Sequence, residues 1–428
     1  GQSVLTVVMD EFMVSSQQST WDEFFAEFVA ANPDIVAIEL EAFDFQNEVV
    51  DCVYSNARLL EQDGIIDDLI AINPFMDADR DFDQRDLYNG VLDAASVDGN
   101  VYGYPFSFGG SVIWYDAERF AQAGVPAPYP GWTAEELEVT LDMLRFNLDL
   151  ADDDVVIQGG GDVNSLQILV NAFGGQIWDT SVNPPAPAFA DTDSIIAIQR
   201  VLDMARRNDI GYYSLTGFST DISQLPERDW MAAPMVTGYL SRYSGSFEFD
   251  QGRSLAMWPV GNGIIPMDMD VEVGFIRNTA DNPEACYNFF SALAARPDLT
   301  NAMPVSRSML DSPLMDAFDP RMLDFFREFA DVIESGEVVL PTYDVDFIEF
   351  NWVYGAFDRY VLGDETDLEG LLTQADATID TYRTCKVDFG ITEQPMFESE
   401  EDWRAYMELL EACAQQADPD YQSQFGGF

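Results

Sequence analysis

Histidine is absent from this sequence, and lysine occurs once, at Lys386. Without histidine a catalytic Cys/His pair is excluded. Cations are scarce altogether: 20 Lys and Arg face 77 Asp and Glu, leaving a formal charge of −57. A phosphate backbone would be repelled, so no nucleic-acid partner is expected. Anionic solutes such as sugar phosphates are disfavoured too, although a local arginine could hold one. No apolar run is long enough to span a bilayer. The stretch after Gly1 lacks a basic segment followed by an apolar one, so a mature chain without its signal peptide is expected. No cysteine near Gly1 could carry a lipid. Internal repeats and low-complexity tracts are missing as well.

Cysteine is limited to Cys52, Cys286, Cys385 and Cys413, with no zinc-type spacing. In an exported chain an even count favours disulfides. Cys385 and Cys413 flank one C-terminal unit and are expected to pair. Cys52 with Cys286 then follows by elimination, and two buried free thiols are the alternative.

What is present argues for a folded protein. Hydrophobic residues make up 47% and aromatic residues 13%, which excludes disorder despite the charge. A length of 428 residues points to two or three domains. The acidic surface keeps a chain soluble in brine, where repulsion is screened. A salt-adapted protein and a simply acidic extracellular one both fit.

The amino terminus reads as strand, helix, strand. Residues 4–9 are apolar apart from Thr6, Thr20 caps a helix over Trp21–Ala31, and Ile35–Leu40 is a second strand. Parallel sheets built this way bind ligands beyond the carboxyl ends of their strands. Asp10 and Glu11 are therefore ligand candidates, with a solvated loop as the bland alternative. A short strand at Asp51–Tyr54 is followed by a helix through Leu59 and Leu60. Asp77, Asp79, Asp81 and Asp83 alternate as in a calcium loop. The sixth and twelfth positions are Phe82 and Tyr88, not Gly and Glu, so a solvated acidic loop is read instead. Gly159–Gly161 lack the Walker lysine and the dinucleotide spacing and read as a plain loop. No metal site and no cofactor is expected.

Residues 97–137 carry the most specific pattern. Val101–Phe108 reads as extended chain, Gly109-Gly110 as a turn, and Ser111–Tyr115 as a strand. A helix over Asp116–Ala123 ends at Gly124, and Thr133 with Glu136 forms a capping box. In order, Asp98-Gly99-Asn100, Tyr102-Gly103-Tyr104-Pro105, Trp114-Tyr115-Asp116, Phe120, Ala123-Gly124-Val125, Pro128, Trp132-Thr133 and Glu136 resemble a family pattern. It is that of bacterial extracellular solute-binding proteins of family 1, the sugar-type receptors of ABC importers. Further stretches resembling it are Leu169–Asp179, Gly252–Trp258, Met303–Pro313 and Leu362–Tyr382. The shortened segment before Val50-Asp51-Cys52 departs from the family.

The resemblance implies an α/β, two-lobed periplasmic-binding-protein-like fold. Each lobe would be a sheet flanked by helices, with hinge crossings between lobes. It implies a first lobe of 1–110 plus 270–312 and a second of 111–269 plus 313–382. Residues 383–428 would form an extension beyond the family's ending, closed by Cys385 and Cys413. It places Trp178, Trp258, Asn262 and Trp352 at ligand positions. Phe108 and Trp114, on either side of the glycine pair, complete the ligand set with Asp10 and Glu11, and Trp230 is a further cleft aromatic.

The implied protein is no enzyme. It is an extracellular, cell-surface or periplasmic receptor, expected to be monomeric. It would close around a carbohydrate or polyol and deliver it to the membrane permease of an ABC importer. Aromatic faces and carboxylate acceptors suit such a solute. A secreted glycoside hydrolase would show tryptophans and carboxylates too. A receptor for a cation such as a polyamine fits the acidity, and a structural surface protein is a third class. If Trp258 stacks on the solute, Trp258→Ala weakens binding without unfolding the chain.

Overall fold

The computed structural model describes residues 3–9, 11–41, 50–61, 64–179, 181–182, 185–216, 232–240, 252–261, 265–266, 269–300, 302–335, 338–339, 346–391 and 400–421. In chain order the elements used below are β1 (Ser3–Val8), α1 (Gln18–Ala31), β2 (Ile35–Glu41), β3 (Cys52–Asn56), β4 (Gly103–Asp116), α2 (Ala134–Asn147), β5 (Ile157–Gln158) and α3 (Val163–Ala172). They continue with α4 (Thr192–Arg206), β6 (Met235–Leu240), β7 (Met269–Ile276), α5 (Pro283–Ala294), α6 (Pro320–Ser335), α7 (Phe347–Val361), α8 (Leu368–Asp388) and α9 (Glu400–Ala417). Among the described residues no helix is long and apolar enough to cross a membrane.

The chain divides into two compact units. The first holds residues 1–112, 238–255 and 268–340, and the second holds 113–237, 256–267 and 341–428. Residues 238–255 and 313–340 fall in the first unit, where the resemblance implied the second. Phe329 of α6 sits edge-on to Phe108, 6.3 Å between centroids, and Arg321 Nη1 donates to the Arg253 carbonyl at 2.8 Å. The C-terminal extension is an integral part of the second unit.

The first unit is built on a sheet in the order β2-β1-β3-β7-β4. β1 runs parallel to β2 and to β3, and β7 is antiparallel to β3 and to β4. The apolar run of β1 puts Leu5, Val7 and Val8 in the core because helices cover it. α1 buries Trp21, Phe24 and Phe28 on one face, as the helical spacing of these residues predicts. Phe28 meets Phe289 of α5 edge-on at 5.4 Å. The Cys52–Cys286 disulfide ties β3 to α5, with both residues wholly buried.

The second unit takes the other end of β4, which continues beside β6, with β5 parallel to β6 at the edge. The capping box at Thr133 is present. The Glu136 amide donates to Thr133 Oγ1 at 3.2 Å, and the Thr133 amide donates to Glu136 Oε2 at 2.8 Å. Gly124 ends its helix at φ +67°, where a side chain would be strained. α3, α4, α7, α8 and α9 pack successively on one another.

Three local readings change. Gly109 and Gly110 are not a turn, since they pair with Asp270 and Met269 inside one continuous 14-residue strand, β4. Glycine permits a bend but does not force one, and ladder pairing keeps the chain extended. α1 starts at Gln18 without a side-chain cap from Thr20, because a short helix, Glu11–Ser16, leads almost directly into it. Leu59 and Leu60 lie in a 3-10 turn, Ala57–Glu61, and not in an α-helix.

Candidate functional site

In the first unit β3 ends at Asn56, so Asn56 and its successors mark the carboxyl edge of the parallel strands. Register sets Glu272 of β7 opposite Asn56 on one side and Ser107 of β4 on the other. Its carboxylate is nearly buried at 8% exposure. It accepts from Tyr54 Oη at 2.5 Å and from Ser107 Oγ at 2.7 Å. Two residues back along β7, Asp270 pairs with Arg58, whose side chain remains 30% exposed. Arg58 is therefore the accessible polar group of this edge, paired with Asp270, while Glu272, Tyr54 and Ser107 are buried and bonded to one another. The guanidinium can donate to hydroxyl-bearing groups.

A cavity of about 540 Å³ lies elsewhere in this unit, lined by Asn73, Asp77, Phe82, Asp93, Ser96 and Val101 among others. It sits where the chain enters β4, at the amino end of β3. In the neighbouring acidic loop, Asp79 accepts from the Asp81 amide, and Asp83 caps a short turn by accepting from Arg85. Hydrogen bonds from Arg85 hold the Asp83 carboxyl below its usual range.

In the second unit β5 ends at Gln158 and runs into Gly159–Gly161 and then Asp162, the N-cap of α3. The glycines are a packing requirement. A Cβ on Gly161 would stand 2.3 Å from the Gly211 carbonyl oxygen. Gly161→Ala is expected to destabilise the chain by roughly 1–3 kcal/mol, as overpacking does. The check is a lower urea midpoint at unchanged slope; an unchanged midpoint would show that the loop is not tightly packed. Asp162 accepts from the Ser165 amide at 3.0 Å and from Ser165 Oγ at 2.6 Å. Burial raises its carboxyl, against the lowering effect of those bonds. Burial also raises the Tyr213 hydroxyl, and the Asp162 charge adds to it. Asp162 and the residues after Ile210 thus both follow the carboxyl end of β5.

Most residues predicted from the sequence lie elsewhere. Asp10, Asn262 and Trp230 lie outside the described residues. Glu11 opens the short helix Glu11–Ser16, and its side chain is also outside the described set. Phe108, 1% exposed, packs between Tyr88 and Phe329. Trp114, Trp178 and Trp258 are 1%, 4% and 0% exposed. Trp178 lies edge-on to Phe189 at 5.9 Å and against the Tyr354 hydroxyl. No face of these three indoles is open to solvent, so the Trp258→Ala variant would first report a cavity in the core. Trp352 is half-buried among Tyr382 and Tyr421, and its indole donates to Asp418 at 3.1 Å. The structure thus brings together Tyr54, Arg58, Ser107 and Glu272, and separately Asp162 and Tyr213, none of which the sequence singled out. The strand-end rule that selected Asp10 and Glu11 applies equally to Arg58. Glu272 has no local signal, because its neighbours come from β3 and β4.

No protein-family model matches the chain, and no curated protein matches it by sequence. Solved structures do. An ABC substrate-binding protein from Listeria monocytogenes, in complex with cycloalternan, is 20% identical with a TM-score of 0.67, over 90% of this chain and 100% of that one. The sugar-binding protein MalE from Xanthomonas citri is 15% identical with a TM-score of 0.68, over 92% and 100%. UgpB from Mycobacterium tuberculosis, in complex with glycerophosphocholine, is 13% identical with a TM-score of 0.64, over 90% and 100%. Over about nine-tenths of its length, the chain has the mixed α/β fold of these solute-binding proteins.

Proposed function

We infer that this protein is a solute-binding receptor and not an enzyme, and that its solute is a carbohydrate or polyol. The observation that carries the reading is the carboxyl edge of β3, where the partly exposed Arg58 pairs with Asp270, two residues along β7 from the buried Glu272 with its Tyr54 and Ser107 bonds. Hydroxyl groups of a neutral solute are donors, and carboxylates are their natural acceptors. The fold supports it, because solved proteins of this fold hold cycloalternan and maltose. The finer reading follows the resemblance. The two units close on the solute, which shifts the population to a closed form, and that form presents it to a membrane permease. The two disulfides suit an extracellular, cell-surface or periplasmic setting. The receptor acts as a monomer in this scheme.

Calorimetric titration of sugars and polyols against the chain and against Arg58→Ala tests the reading. Affinity is expected to fall at least tenfold, about 1.4 kcal/mol, with little change in melting temperature. Equal affinity of the two proteins would remove Arg58 from the site. The net charge of −57 favours one second reading, a cationic solute such as a polyamine. Binding of a polyamine with no response to any sugar would select it. A sugar that is consumed on incubation would make the protein a hydrolase.

A further inference from the structure

We propose that the C-terminal disulfide-closed module is a positioning clamp that holds the segment Gly211–Thr216 through α7. The proposal rests on the reading of this protein as a solute receptor, since that segment lies at the carboxyl edge of the second unit's sheet. Ile210, just before it, bridges to Ile157 of β5, and the Asp162 charge acts on the Tyr213 hydroxyl.

Both ends of the linkage converge on α7. Its amino-terminal half is gripped by α8 and α9. Lys386, the chain's one lysine, donates to Asp346 at 2.7 Å, and Tyr382 Oη donates to the same oxygen at 3.0 Å. Arg383 holds Glu349 with two bonds, at 2.8 and 2.6 Å, and Glu349 is only 2% exposed. Trp352 donates to Asp418, just beyond α9, and lies edge-on to Tyr382 at 5.3 Å. The Cys385–Cys413 disulfide joins α8 to α9 across this contact. Ile348, Tyr382, Leu410 and Ala414 bury it.

The carboxyl-terminal half of α7 carries Asp358. Its carboxylate accepts from Tyr212 Oη at 2.8 Å, Ser214 Oγ at 2.7 Å and Thr216 Oγ1 at 2.7 Å. The amides of Leu215 and Thr216 also donate to it, at 3.1 and 3.2 Å. One side chain thus satisfies a five-residue segment that has no ladder of its own. Asp346 and Asp358 are roughly 18 Å apart along the axis at 1.5 Å per residue. A helix is stiff over that distance, so its seating at one end sets where the carboxylate at the other end stands. The module therefore adjusts solute affinity without touching solute. Asp358 is a positioning residue, and Trp352 serves the clamp and not the solute.

Hydrogen exchange and solute titration on the full chain test this, with Cys385→Ser/Cys413→Ser as the first variant. The Leu215 and Thr216 amides are expected to exchange about tenfold faster. Exchange within α1 of the first unit, which the clamp does not touch, stays unchanged. Affinity for the bound sugar falls roughly fivefold or more, at about 1 kcal/mol. Should that variant fail to fold, Trp352→Phe removes only the indole donor to Asp418 and is expected to show the same pattern in weaker form. Faster exchange in α9 with Leu215 and Thr216 unchanged would overturn the clamp. If no sugar binds the native chain but the exchange pattern appears, the clamp stands and the carbohydrate reading fails. Unchanged exchange together with intact sugar binding has the opposite meaning.

Discussion

Replacing Cys52 and Cys286 by alanine is expected to cost about 4–5 kcal/mol of stability, the largest effect of any pair substitution in the first unit. The bridge spans 234 residues of sequence. Cross-linking removes conformational freedom from the unfolded chain, and the chain-entropy relation rises with loop length. A loop this long stands at the upper end of its range. The native state loses little else, because both residues are buried between β3 and α5 and alanine leaves only small voids. The expected readout is a melting temperature lower by on the order of 10 °C under oxidising conditions. Reductant should produce a similar loss in the native chain once unfolding exposes the bridge. A loss below about 1 kcal/mol would show that the unfolded chain is already compact around this pairing.

Salt is expected to have an effect of comparable size. With −57 spread over one chain, the compact state brings like charges closer than the unfolded state does. The few cations are committed locally: Arg145 and Arg207 both bond Asp209, and Arg383 bonds Glu349. They cannot neutralise the remaining acids. At 0.01 M ionic strength the screening length is about 30 Å, and at 1 M it is about 3 Å. Repulsion across a unit is therefore active in the first condition and removed in the second. The melting temperature should climb by on the order of 10 °C between 10 mM and 1 M NaCl, corresponding to a few kcal/mol. Screening also weakens the surface pairs, but such pairs contribute little, so the net sign is stabilising. A flat or falling melting temperature would mean that the acids are far enough apart to be solvated independently, and brine adaptation would lose its support.

Much of the architecture was legible along the chain. The apolar run of β1, the spacing of Trp21, Phe24 and Phe28, the Thr133–Glu136 cap and Gly124 are local patterns, and each folds as its neighbours dictate. The ordered motif across residues 97–137 pointed to the fold that the solved structures share. The ligand residues were less legible. Tryptophan serves a sugar site and a core equally well, and Trp114, Trp178 and Trp258 fill cores. Gly109-Gly110 allowed a turn, but strand pairing with Asp270 and Met269 kept it straight.

Composition alone decided the absence of histidine chemistry and set the expectation that no nucleic acid binds, because charge and residue type do not depend on folding. Periodicity decided most helices and strands, because those signals repeat within a few residues. The pairing of Glu272 with Tyr54 and Ser107, the grip of Asp358 on Tyr212–Thr216 and the seat of Trp352 against Asp418 were decided only in three dimensions. Each joins residues distant in sequence. Their meeting depends on strand register and helix packing, which no single stretch of the chain encodes.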